Sequence, residues 1–298
     1  MTSNYDFLKH TDLFKKDGTI KEIKQISEGK IRVRTDDGKF YVISLYDIDK
    51  HKDISEESFI QERLRDIGID SLRIYEQGIF PDLKKSYKIF QYRDEQSLKD
   101  FLSKASEEDE FRIGFNFGQI LKKFHQTSTD ILVDWEKDFT TKANYLFYMH
   151  GISDKKTEKD YIYIDHIKDN IHLSKNTTNN LIHGNINDKN IRVYGNLNLD
   201  LRGIKEIKLG DGIFDFVDIN KLAITHPVFA RGVVEAYFDG QRPSRKFFRL
   251  LSLYQAYVIL YNQVNENEDK PHFLDGKERS RILEMYDYFN QLVPNWIS

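Results

Sequence analysis

The 298 residues carry 45 Lys and Arg against 48 Asp and Glu, a formal net charge of −3, with the two signs interspersed. That balance creates no field drawing the chain to nucleic acid or an anionic membrane. The lack of any cysteine excludes disulfide frameworks, thiol chemistry and Cys-based zinc sites. The length suffices for one large domain or two modest lobes. The polar start, Met-Thr-Ser-Asn-Tyr-Asp, and the lack of a bilayer-length apolar run lead us to expect a soluble, cytoplasmic protein.

From Lys21 to Tyr46 the pattern is that of strands: Ile31, Val33, Tyr41 and Ile43 alternate with polar residues, and Asp36-Asp37-Gly38 marks a hairpin turn. The spacing then predicts a helix over 55–69, capped by Ser55 and stopped by Gly68. A second strand pair follows at 72–79 and 86–92, across a polar turn containing Pro81. After Asp94 the chain turns helical. The segment 111–125 has an apolar stripe and a basic last turn, and further helices are expected at 135–149, 158–171, 227–238, 244–264 and 276–291. Residues 180–220 read as strand and loop. The expected class is α+β, with a small antiparallel N-terminal lobe over 1–93 holding one helix and a larger helical C-terminal lobe over 94–298.

Within the strand and loop segment lies Leu181-Ile-His-Gly-Asn-Ile-Asn-Asp-Lys-Asn-Ile-Arg-Val193. This has the layout of the kinase-type catalytic loop His-Gly-Asp-x-x-x-x-Asn, in which the Asp orients or deprotonates the attacking hydroxyl and the final Asn helps hold Mg²⁺. Asn190 is in place, and Asn185 stands where the carboxylate belongs. An amide can hydrogen-bond a hydroxyl but has no basic site to take its proton. Asp188 is the only carboxylate in the loop, and His183 reads as architectural. No His-x-x-x-His spacing, Gly-x-Ser-x-Gly elbow or full calcium-loop pattern occurs.

The order of these features resembles the aminoglycoside and macrolide phosphotransferase family over nearly the whole chain. The loop at 183–190 carries the resemblance together with the glycine-containing helix at 113–125 ending in His125, Trp135 to Phe139, Tyr237 to Gly240, Phe247 to Tyr254, and Val293 to Trp296. It implies a bilobal protein-kinase-like fold that uses ATP or GTP with Mg²⁺ and binds a small molecule in an interlobe cleft. It also implies a set of site positions. The strand cation falls on Ser44, which has no charge, with Lys30, Arg32, Arg34 and Lys39 as neighbouring substitutes. The helix acid falls on Glu57, with Glu56 and Glu62 as register alternatives. The phosphate-covering loop falls on Ile26 to Lys30, too short for a cradle and carrying Glu28. The metal acid falls within Ile207 to Asp218, in one register on Gly210 and in the other on Asp211.

Several parts therefore look altered together. The first expectation is a pseudokinase or strongly weakened kinase that binds a nucleotide or small molecule and acts on a protein partner. The alternatives are an active phosphotransferase acting on a small-molecule hydroxyl (an aminoglycoside, macrolide or amino alcohol) and an interaction module with an empty cleft.

Overall fold

The computed structural model describes residues 5–16, 20–127, 131–265 and 270–297. Its contacts divide into two compact units, Met1–Glu95 and Gln96–Ser298. No helix of the described residues is long and apolar enough to cross a membrane.

In the first unit a short helix α1 (Asp12–Lys16) precedes strands β1 (Ile20–Ser27), β2 (Lys30–Thr35) and β3 (Phe40–Asp47), then helix α2 (His51–Asp66) and strands β4 (Ile74–Phe80) and β5 (Lys85–Gln91). The strands form one antiparallel sheet in the order β1-β2-β3-β5-β4. Because side chains alternate across a strand, Ile31, Val33, Tyr41, Ile43, Tyr87 and Ile89 gather on one face, where they meet Leu8, Phe14 and Phe80 in the core. The other face carries Ser44 and Lys88, which are also buried. Helix α2 begins four residues before the expected start. Ser55 is therefore no cap but an interior residue whose hydroxyl donates back to the His51 carbonyl at 3.0 Å. Helix α1 gave no periodic signal; its first amides, of Asp12 and Leu13, donate to Glu76, which also accepts the Tyr87 hydroxyl at 2.6 Å.

The second unit follows β6 (Glu95–Ser97) with helices α3 (Leu98–Leu102), α4 (Glu107–His125), α5 (Trp135–Ile152) and α6 (Tyr161–Asn170). Strands β7 (Asn180–Ile182), β8 (Ile191–Tyr194), β9 (Asn198–Leu201) and β10 (Lys208–Gly210) come next, then helices α7 (Phe216–Ala223), α8 (Pro227–Tyr237), α9 (Arg245–Val264) and α10 (Gly276–Met285). Strands β10 and β7 pair, and β6, β8 and β9 form a second small sheet. Helix α9 is buried on nearly every side and is the centre of the core. Helices α4 and α8 touch backbone to backbone: a Cβ on Gly114 would sit 2.1 Å from the Phe229 carbonyl oxygen, and one on Gly118 2.3 Å from that of Val233. Helix α7 begins inside the segment expected to be strand and loop; at eight residues it is too short to repeat its helical spacing, and its polar residues Asp218 and Asn220 are themselves buried.

Candidate functional site

Strand β7 delivers the chain to His183, and from there to Asn190 the backbone is irregular. Irregular backbone needs partners for its amides, and two buried carboxylates at the start of α7 supply them. Asp215 accepts the His183 amide at 2.7 Å and the Gly184 amide at 2.8 Å, while Asp218 accepts the Ile186 amide at 2.8 Å. His125, the last residue of α4, donates through Nε2 to Asp215 at 3.0 Å and accepts the Tyr237 hydroxyl through Nδ1 at 2.9 Å. Burial works to raise the Asp215 pKa, but the contact with His125 and the loop amides outweigh it and hold the carboxyl below its ordinary range. Gly184 takes φ +73°, and a Cβ there would lie 2.8 Å from the Glu206 carbonyl, so the loop turns where only glycine fits.

His183 is buried, and its Nε2 donates to the Arg202 carbonyl at 2.9 Å. Burial pushes its pKa down, which keeps the imidazole neutral and suits it to a structural tie. Within the loop, amides bond amides. Asn187 donates to the Asn185 side-chain oxygen at 2.9 Å and accepts the Asn190 amide at 2.9 Å, and Asn190 Nδ2 donates to the Asn185 carbonyl at 3.0 Å. The Asn190 side chain is thus seated against the Asn185 backbone. The chemistry at position 185 is that of an amide, which orients but does not deprotonate.

The Arg202 amide donates to the Asn190 carbonyl at 2.7 Å, which continues the β8–β9 pairing of Ile191 with Leu201 and Arg192 with Asp200. Alternation then puts Asn190, Arg192, Asp200 and Arg202 on one face of this hairpin. Asp200 is almost wholly buried, and the Arg202 guanidinium holds its Oδ2 through Nε and Nη2, each at 3.2 Å. Asp211, the expected metal acid, lies elsewhere. Its carboxylate accepts the Tyr254 hydroxyl at 2.7 Å and the Ile213 amide at 3.0 Å, and the Trp135 indole donates in turn to Tyr254 at 2.9 Å. Burial pushes the Asp211 pKa up. None of these bonds among the described residues reaches Asn190. Gly210, the other register, packs on Trp135 and has no side chain to ligate with.

The sequence resemblance implies Mg²⁺ here, and the donors present among the described residues do not fit it. Magnesium wants one or two free carboxylates beside the phosphates. Position 185 offers an amide, and Asp200, the one acid sharing a face with Asn190, is already neutralised by Arg202.

In the sheet unit, Ser44 of β3 is buried and uncharged, and its cross-strand partners are Lys30 on β2 and Lys88 on β5. Lys30 is exposed. Lys88 is 2% exposed, and its ammonium meets Glu57 Oε2 of α2 at 3.0 Å. The helix acid therefore holds a strand lysine, one strand over from the position the motif marks. The neighbouring Ser58 hydroxyl donates to Gln77 at 2.6 Å and seats α2 on the same face. The β1–β2 connection is a tight turn through Glu28 and Gly29, and the Gly29 carbonyl accepts the Leu45 amide at 2.7 Å. With only two residues between the paired Ser27 and Lys30, it is shorter than a glycine-rich loop that would wrap phosphates.

Sequence reasoning missed Lys88 and Asp200. Both left a signal: each is a single charge inside an apolar strand, Tyr87-Lys-Ile-Phe90 and Leu199-Asp-Leu201, and charges so placed are buried only when paired.

A five-stranded antiparallel sheet with one helix, followed by a helical unit with a hairpin-flanked loop, defines the kinase-like fold of small-molecule phosphotransferases. Solved structures agree. A thermostable mutant of aminoglycoside phosphotransferase APH(4)-Ia, in ternary complex with ADP and hygromycin B, superposes with a TM-score of 0.63 over 97% of this chain and 99% of that one, at 13% identity. The streptomycin-ATP-APH(2")-IIa ternary complex gives 0.58 over 89% and 91%, at 16% identity, and choline kinase LicA from Streptococcus pneumoniae gives 0.52 over 92% of each chain, at 12%. No family model and no curated protein sequence matches the chain.

Proposed function

We propose that this chain is an aminoglycoside-phosphotransferase-like pseudokinase: it binds a nucleotide such as ATP, ADP or GTP, and transfers phosphate weakly or not at all. The observation that carries the binding half is the Lys88–Glu57 pair. A lysine fixed by a helix glutamate on the sheet is the arrangement that meets α and β phosphates in kinase folds, and Lys88 makes good the charge missing at Ser44. The solved structures similar to this one hold ATP or ADP, which supports the same reading. Arg202 is tied by its backbone to both His183 and Asn190, and its guanidinium is bound to Asp200, so this pair offers neither a free carboxylate for a metal nor an unpaired cation.

Asn185 carries the other half. Loss of general-base help alone costs about 10²–10⁴ in rate, and the pairing of Asp200 with Arg202 removes the carboxylate that would anchor a metal. An active phosphotransferase is the second reading, and the intact Lys88–Glu57 pair is the observation in its favour.

Two assays separate these. Thermal melting with ATP, ADP and GTP, each with Mg²⁺ and with EDTA, should show a rise for at least one nucleotide, since a ligand of the native state stabilises by about 2.7 kcal/mol at 100 times its Kd. A γ-labelled transfer assay over aminoglycosides, macrolides and amino alcohols should show no product above the enzyme-free blank. Turnover by the chain as it stands would establish the active reading. No melting shift with any nucleotide would leave the chain an interaction module.

A further inference from the structure

The helical unit contains a cavity of about 300 Å³ that none of the residues discussed for nucleotide binding enters. Helices α5 and α9 form its sides and the turn after β10 its floor, with Trp135, Phe139, Phe214, Tyr257 and Tyr261 presenting aromatic surface. These rings are locked against one another: Phe139 and Tyr257 lie 5.0 Å apart between centroids, and Trp135 meets Phe214 edge-on at 5.6 Å. The volume is at the small end of ligand pockets and far above a packing void.

The charges facing it are unequal. Asp138, Lys142 and Lys208 line the cavity, and Asp138 is bound by Lys142 at 2.6 Å on the same helix. Lys208 makes no hydrogen bond or ion pair among the described residues; its ammonium stands 5.9 Å from the Phe214 ring centroid. Desolvation, and then the Lys142 charge, pull its pKa below the ordinary lysine value. The fields of Asp215, Asp138 and Glu206 oppose that shift without cancelling it. A lysine in this setting gains from an anion. A polycation would find one carboxylate already paired and one ammonium repelling it.

We propose that this cavity binds a small aromatic acid, with its ring system against Trp135, Phe214 and Tyr257 and its carboxylate on Lys208 beside Lys142. The pocket thereby selects against the polycationic aminoglycosides that bind some proteins of this fold. One of its walls, His272, donates through Nδ1 to Asp218, the carboxylate that also takes the Ile186 amide of the catalytic-type loop. The cavity and the loop therefore share a support. The inference is independent of nucleotide binding, because Lys88, Arg202 and Asn190 take no part in it.

Ligand-detected NMR titrations with an isosteric pair of opposite charge, indole-3-propionate and tryptamine, test it on the full chain. Indole-3-propionate should bind at least ten times more tightly than tryptamine, and kanamycin should not displace it. Lys208→Glu should reverse the order of the pair and Lys208→Gln should abolish the preference. Because Lys208 stands at the surface end of β10, both variants should melt with the parent protein. Tryptamine binding as tightly as the acid, neither compound saturating, or a preference unchanged in Lys208→Glu would each overturn the proposal.

Discussion

At position 185 the side-chain oxygen accepts the Asn187 amide at 2.9 Å, and a carboxylate there would accept the same bond and add a proton acceptor. Asn185→Asp is therefore expected to bring acceptor phosphorylation above the blank in the γ-label assay, with nucleotide affinity unchanged within about threefold; a base restores up to ~10²–10⁴ in rate where other parts remain. The Lys88–Glu57 pair makes a different prediction for each partner. Glu57→Gln removes the charge that compensates a lysine 2% exposed to solvent, and urea unfolding should show a loss of about 3 kcal/mol, the low end for breaking a buried pair because Glu57 itself is partly solvated. Lys88→Met leaves that glutamate able to turn to water, so it should cost under about 1 kcal/mol while abolishing the melting shift with nucleotide.

His166 gives the chain a pH dependence. Its ring stacks on Phe289 at 4.4 Å and Nε2 meets the Ser252 hydroxyl at 3.1 Å; burial pushes its pKa down to about 4. The unfolded chain takes up that proton near the usual ~6.5, so it binds more protons than the folded chain between the two values. Stability is full above about pH 6.5 and falls as the pH drops toward about 4, by roughly 2–3 kcal/mol once partial solvation of the ring is allowed for. Urea midpoints at about pH 7 and about pH 4.5 should differ less in His166→Gln than in the parent.

At the scale of elements, the strands were legible because alternation is a strong signal, and Ile31, Val33, Tyr41 and Ile43 all reach the core as it requires. The long helices were legible by length and helical spacing, with an apolar stripe in α4 and a nearly continuous apolar run in α9. Three kinds of element were not. Helix α7 is only eight residues long, so its period is barely repeated. The start of α2 is set by chain geometry after β3 rather than by Ser55. Helix α1 depends on Glu76, some 60 residues away, for its amide partners. The site follows the same division. The loop at 183–190 is a local motif, while Lys88 and Asp200 show in the sequence only as charges within apolar runs; their partners are set by register and packing, which local spacing does not contain. The α4–α8 contact yields a prediction at this scale. Gly114→Ala drives a methyl into the Phe229 carbonyl and should cost about 1–3 kcal/mol by overpacking, read as a lower urea midpoint with an unchanged slope.

At the scale of the whole molecule, the fold is that of small-molecule phosphotransferases, and the proposed loss of transfer rests on the character of a few charges. The sheet pairs Lys88 with the helix glutamate Glu57, one strand over from Ser44. On the hairpin Asp200 is held by Arg202, and the loop has Asn185 where the motif has a carboxylate. The proposed function, binding without metal and without efficient transfer, rests on that combination. Calorimetric titration of ATP in excess EDTA into the parent protein and Lys88→Met tests this most directly. The account predicts saturable binding to the parent without divalent metal and at least tenfold weaker binding to Lys88→Met. Binding that appears only when Mg²⁺ is added, or that is indifferent to Lys88, would contradict it.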